Sequence, residues 1–241
     1  MSPASAQKRC LIAVVVAGMN EPSNANMMAD NFIEGLKTVK GVTFEKIRLK
    51  ELELHHFTLA DYDPKAKQEP DYQRIKTVLQ DATGVVFATP IWNFSVPAHL
   101  KNLIDRVGAF GLDQETHSRG QFNGKPFGLI FTGGAPMIAW KALMYLTTLH
   151  MAEAIKYYGG TVILRHFEPK CVPGKGKFGL VVDQRPQSLA LMKSYGKRFA
   201  ESAQYYAKNG KLPAGQEIFH KWFEFLYRVG NRIMYPISEV Q

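Results

Sequence analysis

Four short apolar runs, residues 11–17, 84–88, 127–132 and 161–167, constrain this chain more than any other feature. None alternates polar with apolar residues, so each reads as a strand covered on both faces, the pattern of a parallel sheet. A fainter run at 42–49 alternates and reads as a fifth strand. Helical patterns fill the gaps at 25–37, 72–79, 96–107, 139–158 and 187–207. The first aligns Met28, Phe32 and Leu36 on one stripe; the third aligns Leu100, Leu103, Ile104 and Val107. The fourth stops at Gly159-Gly160, and the last follows Pro186 and stops at Asn209-Gly210. Parallel strands need right-handed crossovers, so the expectation is an α/β fold, a doubly wound five-stranded parallel sheet.

A chain of 241 residues with 46% hydrophobic content can bury one substantial core. The expected division is one domain over 8–211 and an aromatic-rich C-terminal helical extension over 212–241. Net charge is +9, but the basic residues are scattered, and the densest stretch, 170–177, holds only three lysines. That distribution reads as a solvated surface and sets nucleic acid aside. The two cysteines, Cys10 and Cys171, lack the spacing of a zinc, iron–sulfur or disulfide framework, so a reducing compartment and no metal are expected. The apolar run at 11–17 is too short for a membrane span or a signal core, which gives a soluble, cytoplasmic expectation.

Ligands in open parallel sheets bind at the carboxyl ends of strands, where the winding reverses. After strand one comes AGMNEPSNAN, residues 17–26, with Gly18, Asn20, Ser23, Asn24, Ala25 and Asn26. It is neither a dinucleotide fingerprint nor a P-loop. Ser23 or Asn24 could simply cap the helix, or the first-turn N–H groups could hold a phosphate. After strand three, Pro90, Ile91, Trp92, Asn93 and Phe94 place two aromatic rings and an amide where a plain turn would carry small polar residues. They suit a planar heteroaromatic ring, or else core or interface packing. After strand four, Thr132, Gly133 and Gly134 allow close backbone approach, or make an ordinary turn. Together the three loops form a mononucleotide layout. The long connections at 53–70 and 109–125 read as functional rims. His55, His56 and His150 read as surface or core histidines.

Residues Thr89-Pro90-Ile91-Trp92, Ser95-Val96-Pro97-Ala98, Leu100-Lys101-Asn102 and Ile104-Asp105-Arg106 match the pattern T-P-I-Y-x-x-S-V-P-A-x-L-K-N-x-I-D-R. Over about residues 8–208 the chain resembles the flavodoxin-like NAD(P)H-dependent FMN reductase and quinone reductase family. The resemblance implies bound FMN, with Ser23-Asn24-Ala25 in the place of the family's phosphate-wrapping S/G-N-T. Ala25 lacks that pattern's hydroxyl, and Glu21 sets a carboxylate beside the expected dianion. Residues 177–183 are similar to the family's hairpin before the last helix. The implied activity is hydride transfer from NAD(P)H through FMN to a small acceptor such as a quinone, free flavin or azo compound. No side-chain acid or base is required, so no catalytic residue is assigned. A flavodoxin-type electron carrier is the alternative, although such carriers are acidic and this chain has a pI near 9.4. A phospho-acceptor domain would need acidic residues after strand one and an aspartate ending strand three, where Gly18 and Thr89 stand. A hydrolase would need a G-x-S-x-G elbow.

In the extension, Phe219, Trp222, Phe223, Leu226, Val229 and Ile233 recur at helical spacing and need a cover, which the chain's own domain, a membrane surface or a second subunit could supply. Glu217, Glu224 and the interrupting Gly230 argue against a membrane surface. The resemblance implies a homodimer in which each flavin site is roofed by the partner, and the extension is expected to help form it. Deletion of residues 212–241 is expected to convert a dimer into a monomer by light scattering; a truncated protein that stays dimeric with unchanged turnover removes the extension from that role.

Overall fold

A computed structural model describes residues 10–216, apart from 116, 175, 176 and 178. Five strands form a sheet in the order β2-β1-β3-β4-β5. They are β1 (Cys10–Val16), β2 (Val42–Arg48), β3 (Gly84–Pro90), β4 (Pro126–Thr132) and β5 (Thr161–Glu168). All four pairings are parallel. The continuous apolar runs are the reason: β1, β3 and β4 are buried on both faces, while the edge strands β2 and β5 are only partly covered.

Helices α1 (Asn24–Leu36) and α5 (Pro186–Asn209) cover one face, packing Met28, Phe32, Met192 and Phe199 against Ile12, Val14 and Val86. Helices α2 (Pro70–Asp81), α3 (Ala98–Gly111) and α4 (Leu149–Tyr157) cover the other, with Tyr72, Ile75, Leu100, Leu103 and Met151 against Val15, Phe87 and Leu129. α1 and α5 touch backbone to backbone: a Cβ on Gly196 would lie 1.9 Å from the Phe32 carbonyl oxygen, and one on Gly35 would lie 2.0 Å from that of Lys193.

The helix expected over 139–158 is interrupted. A π turn at Trp140–Met144 and a break at Thr148 precede α4. The carbonyls that would continue the ladder are drawn elsewhere. The Thr147 and Thr148 hydroxyls donate to the Met144 carbonyl, and Arg165 on β5 donates to the Tyr145 carbonyl at 2.9 Å.

The long connection at 53–70 is held down by α3. Arg106, 1% exposed, stacks over the Tyr72 ring, bonds Glu69 with both guanidinium nitrogens, donates to Gln68 Oε1 at 2.6 Å and pairs with Asp61 at 3.1 Å. Asn102 accepts from the Phe57 N–H and donates to the His55 carbonyl. Burial would raise the Glu69 carboxyl, but Arg106 and the backbone N–H groups of Glu69 and His55 outweigh it and hold the pKa at about 2. A carboxyl lower in the folded than in the unfolded state adds stability that is complete above its unfolded value near 4.5 and is lost as the pH falls toward 2. Glu69→Gln should therefore flatten the fall of the urea midpoint across that window; equal slopes for the two proteins would show that the pair does not couple folding to acid.

Candidate active site

The carboxyl ends of β1, β3 and β4 open into a cleft of about 270 Å3. Of the fourteen sequence-predicted residues, Gly18, Asn20, Ser23, Asn24, Ala25, Pro90, Ile91, Trp92, Thr132, Gly133 and Gly134 line it. Larger hollows lie along the β5 edge and near the amino ends of β3 and β4, away from the loops where such a sheet binds ligands.

At the β1 end, Ser23 caps α1 by accepting from the Asn26 N–H at 3.2 Å. Among the described residues, none accepts a hydrogen bond from the Asn24 or Ala25 N–H. These two first-turn donors point with the helix dipole, as anion binding requires. Gly18 is needed here, because a Cβ would lie 2.3 Å from Ser23 Oγ. The Asn24 side chain is engaged structurally: it donates to the Gly179 carbonyl at 2.8 Å and accepts from the Val181 and Val182 N–H groups. Asn26 does not line the cleft; its Nδ2 bonds Asp30 and its Oδ1 is buried with no partner among the described residues. Glu21 turns to Lys50 and Arg48, which hold its carboxyl below the usual range. Its charge is thereby offset before it can oppose a phosphate.

At the β3 end, Trp92 and Ser95 exchange backbone hydrogen bonds of 2.8 and 3.0 Å around a two-residue turn. Asn93 and Phe94 at its tip have φ of 49° and 68°. A turn of this hand demands positive φ at both central residues, and glycine would be the usual second. The result is a Trp92 ring on the cleft wall, while Asn93 and Phe94 stand outside the lining, Phe94 63% exposed. His99, which sequence reasoning missed, ties this wall to the first loop. Its Nε2 lies 2.8 Å from the Ala17 carbonyl, so that nitrogen carries the proton, and its ring meets Trp92 edge-on at 6.3 Å.

At the β4 end, a Cβ on Gly133 would lie 2.9 Å from the Phe167 ring, itself stacked on Trp140 at 4.2 Å. Close packing from behind, as much as approach from the cleft, accounts for that glycine. A fourth wall comes from beyond β5: Cys171, Val172 and Gly179. Burial, then the Glu168 charge, push the Cys171 thiol up to about 11, so it stays protonated. Met19 and Pro22 complete the lining, and among the described residues no charged side chain belongs to it. Among the described residues, neither long connection, 53–70 or 109–125, contributes to the lining of the cleft. His55 and His56 are exposed, and His150 bonds the Thr147 carbonyl.

The family model of NADPH-dependent FMN reductases matches residues 10–168. A Bordetella parapertussis FMN-dependent NADH:quinone oxidoreductase is 28% identical over 131 residues, covering 49% of this chain and 61% of that relative. The chain thus spans about three fifths of the length of that relative. A Pseudomonas putida quinone reductase is 26% identical over 161 residues, 64% of this chain and 80% of that one. Among solved structures, an NAD(P)H:quinone oxidoreductase from Methanothermobacter marburgensis superposes with a TM-score of 0.60 at 16% identity, covering 78% of this chain and 94% of the other.

The left-handed tip sets a stability expectation. Phe94→Gly should leave unfolding free energy within about 1 kcal/mol of wild type, since relief of the backbone offsets the greater freedom of glycine in the unfolded chain. A larger loss by chemical denaturation would show that the Phe94 ring is packed.

Proposed function

The chain belongs to the NADPH-dependent FMN reductase family, and we propose that it is an oxidoreductase carrying hydride from NAD(P)H through bound FMN to a small planar acceptor such as a quinone, free flavin or azo compound. The observation that carries this reading is the convergence of first-turn N–H groups, an aromatic wall and a glycine turn on one cleft, with no charged side chain in its lining and no acceptor for those N–H groups among the described residues. Membership in a family of reductases, together with the basic pI of 9.4, weighs against the electron-carrier alternative.

The residues present fit FMN. The Asn24 and Ala25 N–H groups would hold its phosphate, with the Ser23 hydroxyl beside them; Ala25 needs no hydroxyl if backbone donors bind the anion. Pro90, Ile91 and Trp92 would face the ring system, and Thr132, Gly133 and Gly134 would approach its rim. When bound, FMN supplies two-electron chemistry, accepting hydride from the nicotinamide and passing it on. The protein binds, orients and excludes water. Among the described residues the only titratable group in the lining is a protonated thiol, so the described lining offers no side chain to move a proton at the reacting atoms. Donor and acceptor would occupy the same open face in turn, a ping-pong order.

The assembly we propose is a cytoplasmic homodimer. Ile138, Leu143 and Leu146, 78%, 65% and 63% exposed on the interrupted helical run after β4, form an apolar face that a second copy would cover. Among the described residues no helix is long and apolar enough to cross a membrane. The proposed FMN-binding domain is 8–211. Residues 217–241, with the aromatic stripe, lie outside the described residues.

Titration with FMN should quench flavin fluorescence with saturation, heat should release FMN and not FAD, and Trp92→Ala should weaken binding roughly tenfold, ~1.4 kcal/mol, with a smaller change in folding stability. A protein that leaves FMN fluorescence unchanged contradicts the reading. A Trp92→Ala protein that unfolds while keeping its activity per folded molecule assigns Trp92 to the core.

A further inference from the structure

We infer that Glu168 and Arg185 are positioning residues of the cleft, setting the place of its fourth wall and thereby FMN retention and the acceptor KM; this rests on the FMN reading above. Glu168, at the carboxyl end of β5, is 4% exposed. One carboxylate oxygen accepts from Arg185 Nη1 at 2.8 Å and from the Ser188 hydroxyl at 2.9 Å; the other faces His166 Nε2 at 3.3 Å. A carboxylate this buried persists only with such partners. Its own chemistry is therefore complete, and its use must be sought in what Arg185 does next.

Arg185 extends past Glu168 to the wall. Nη1 also donates to the Pro169 carbonyl at 2.7 Å, and Nη2 to the Lys170 carbonyl at 2.9 Å. Those two peptides lead directly into Cys171 and Val172, which line the cleft. Lys170 holds φ at 52°, a left-handed conformation that a non-glycine residue keeps only when its surroundings impose it. The imposed turn delivers the Lys170 N–H to the Ala135 carbonyl at 3.0 Å and the Cys171 N–H to the Gly133 carbonyl at 2.9 Å. The Gly133 N–H in turn donates to the Glu168 carbonyl at 3.1 Å. One guanidinium thus fixes a backbone whose other hydrogen bonds fix the glycine turn, and both line the same cleft. Lysine cannot reproduce this, because a point charge lacks the planar fork that meets carboxylate and two carbonyls together.

The test uses the full-length protein with Arg185→Lys, Arg185→Met, Glu168→Gln and Ser188→Ala. FMN affinity is read by fluorescence titration, kinetics at saturating FMN, and the Cys171 thiol by its rate with an aromatic disulfide reagent; Cys10, buried in β1, is the internal control. Expected are a tenfold or greater rise in the FMN Kd and in acceptor KM for Arg185→Met, with kcat within twofold, a smaller rise for Arg185→Lys, and faster modification of Cys171 that added FMN slows. Unchanged Kd, KM and thiol rate beside a lowered Tm would overturn the inference and leave the pair a structural ion bridge. If Arg185→Met does not fold, Arg185→Lys and Ser188→Ala carry the same comparison, and wild-type values in both overturn it. A wild-type protein that does not bind FMN removes the functional reading and this inference together, whereas wild-type binding with unaltered variants removes this inference alone.

Discussion

Parallel pairing on both faces of a sheet is the constraint from which the site follows. Every strand of such a sheet ends on the same edge, and every connection must return over a face, so the loops leaving β1, β3 and β4 are brought together whatever their sequences. The winding reverses between the neighbouring strands β1 and β3. There the loop after β1 and the loop after β3 diverge to opposite faces, and the cleft lies between them. The chemistry is thus placed by burial of apolar strands far from it, and the loops need only supply donors and surfaces.

Polar side chains do the trimming. Arg106 and Asn102, both in the stretch that resembles the family's motif, hold the 53–70 connection against the domain and do not touch the cleft. Asn24, in the stretch that resembles the phosphate-wrapping pattern, fastens the 179–182 backbone with its side chain, and only its main-chain N–H is left to face the cleft. A motif residue can therefore serve the geometry of a binding site without being a ligand in it.

These distinctions mark what the sequence could show. The strands were legible because β1, β3 and β4 are apolar throughout, and their order of burial needs no tertiary information. The three loops that line the cleft were legible from their positions after those strands. The interruption at Thr148 was not, because it depends on Arg165, a residue on another element that takes a carbonyl from the helix. The burial of Arg106 was not, since a charged residue on a helix reads as exposed until Glu69, Asp61 and Tyr72 are brought to it. Cys171 and Val172 carry no local sign of a binding wall; only the left-handed Lys170 and its hydrogen bonds bring them there. His99 escaped notice because its partner is a main-chain carbonyl, which has no signature in sequence.

The glycine contact between α1 and α5 acquires a meaning beyond packing. With Gly35 and Gly196 admitting direct backbone approach, the two helices have no compressible side chains between them at that point. α1 carries the Asn24 and Ala25 N–H groups at one end, and α5 begins immediately after Arg185, which secures the opposite wall. The pair of helices acts as a caliper behind the sheet: the span between the α1 end of the cleft and the far wall is gauged by a rigid contact outside the cleft lining.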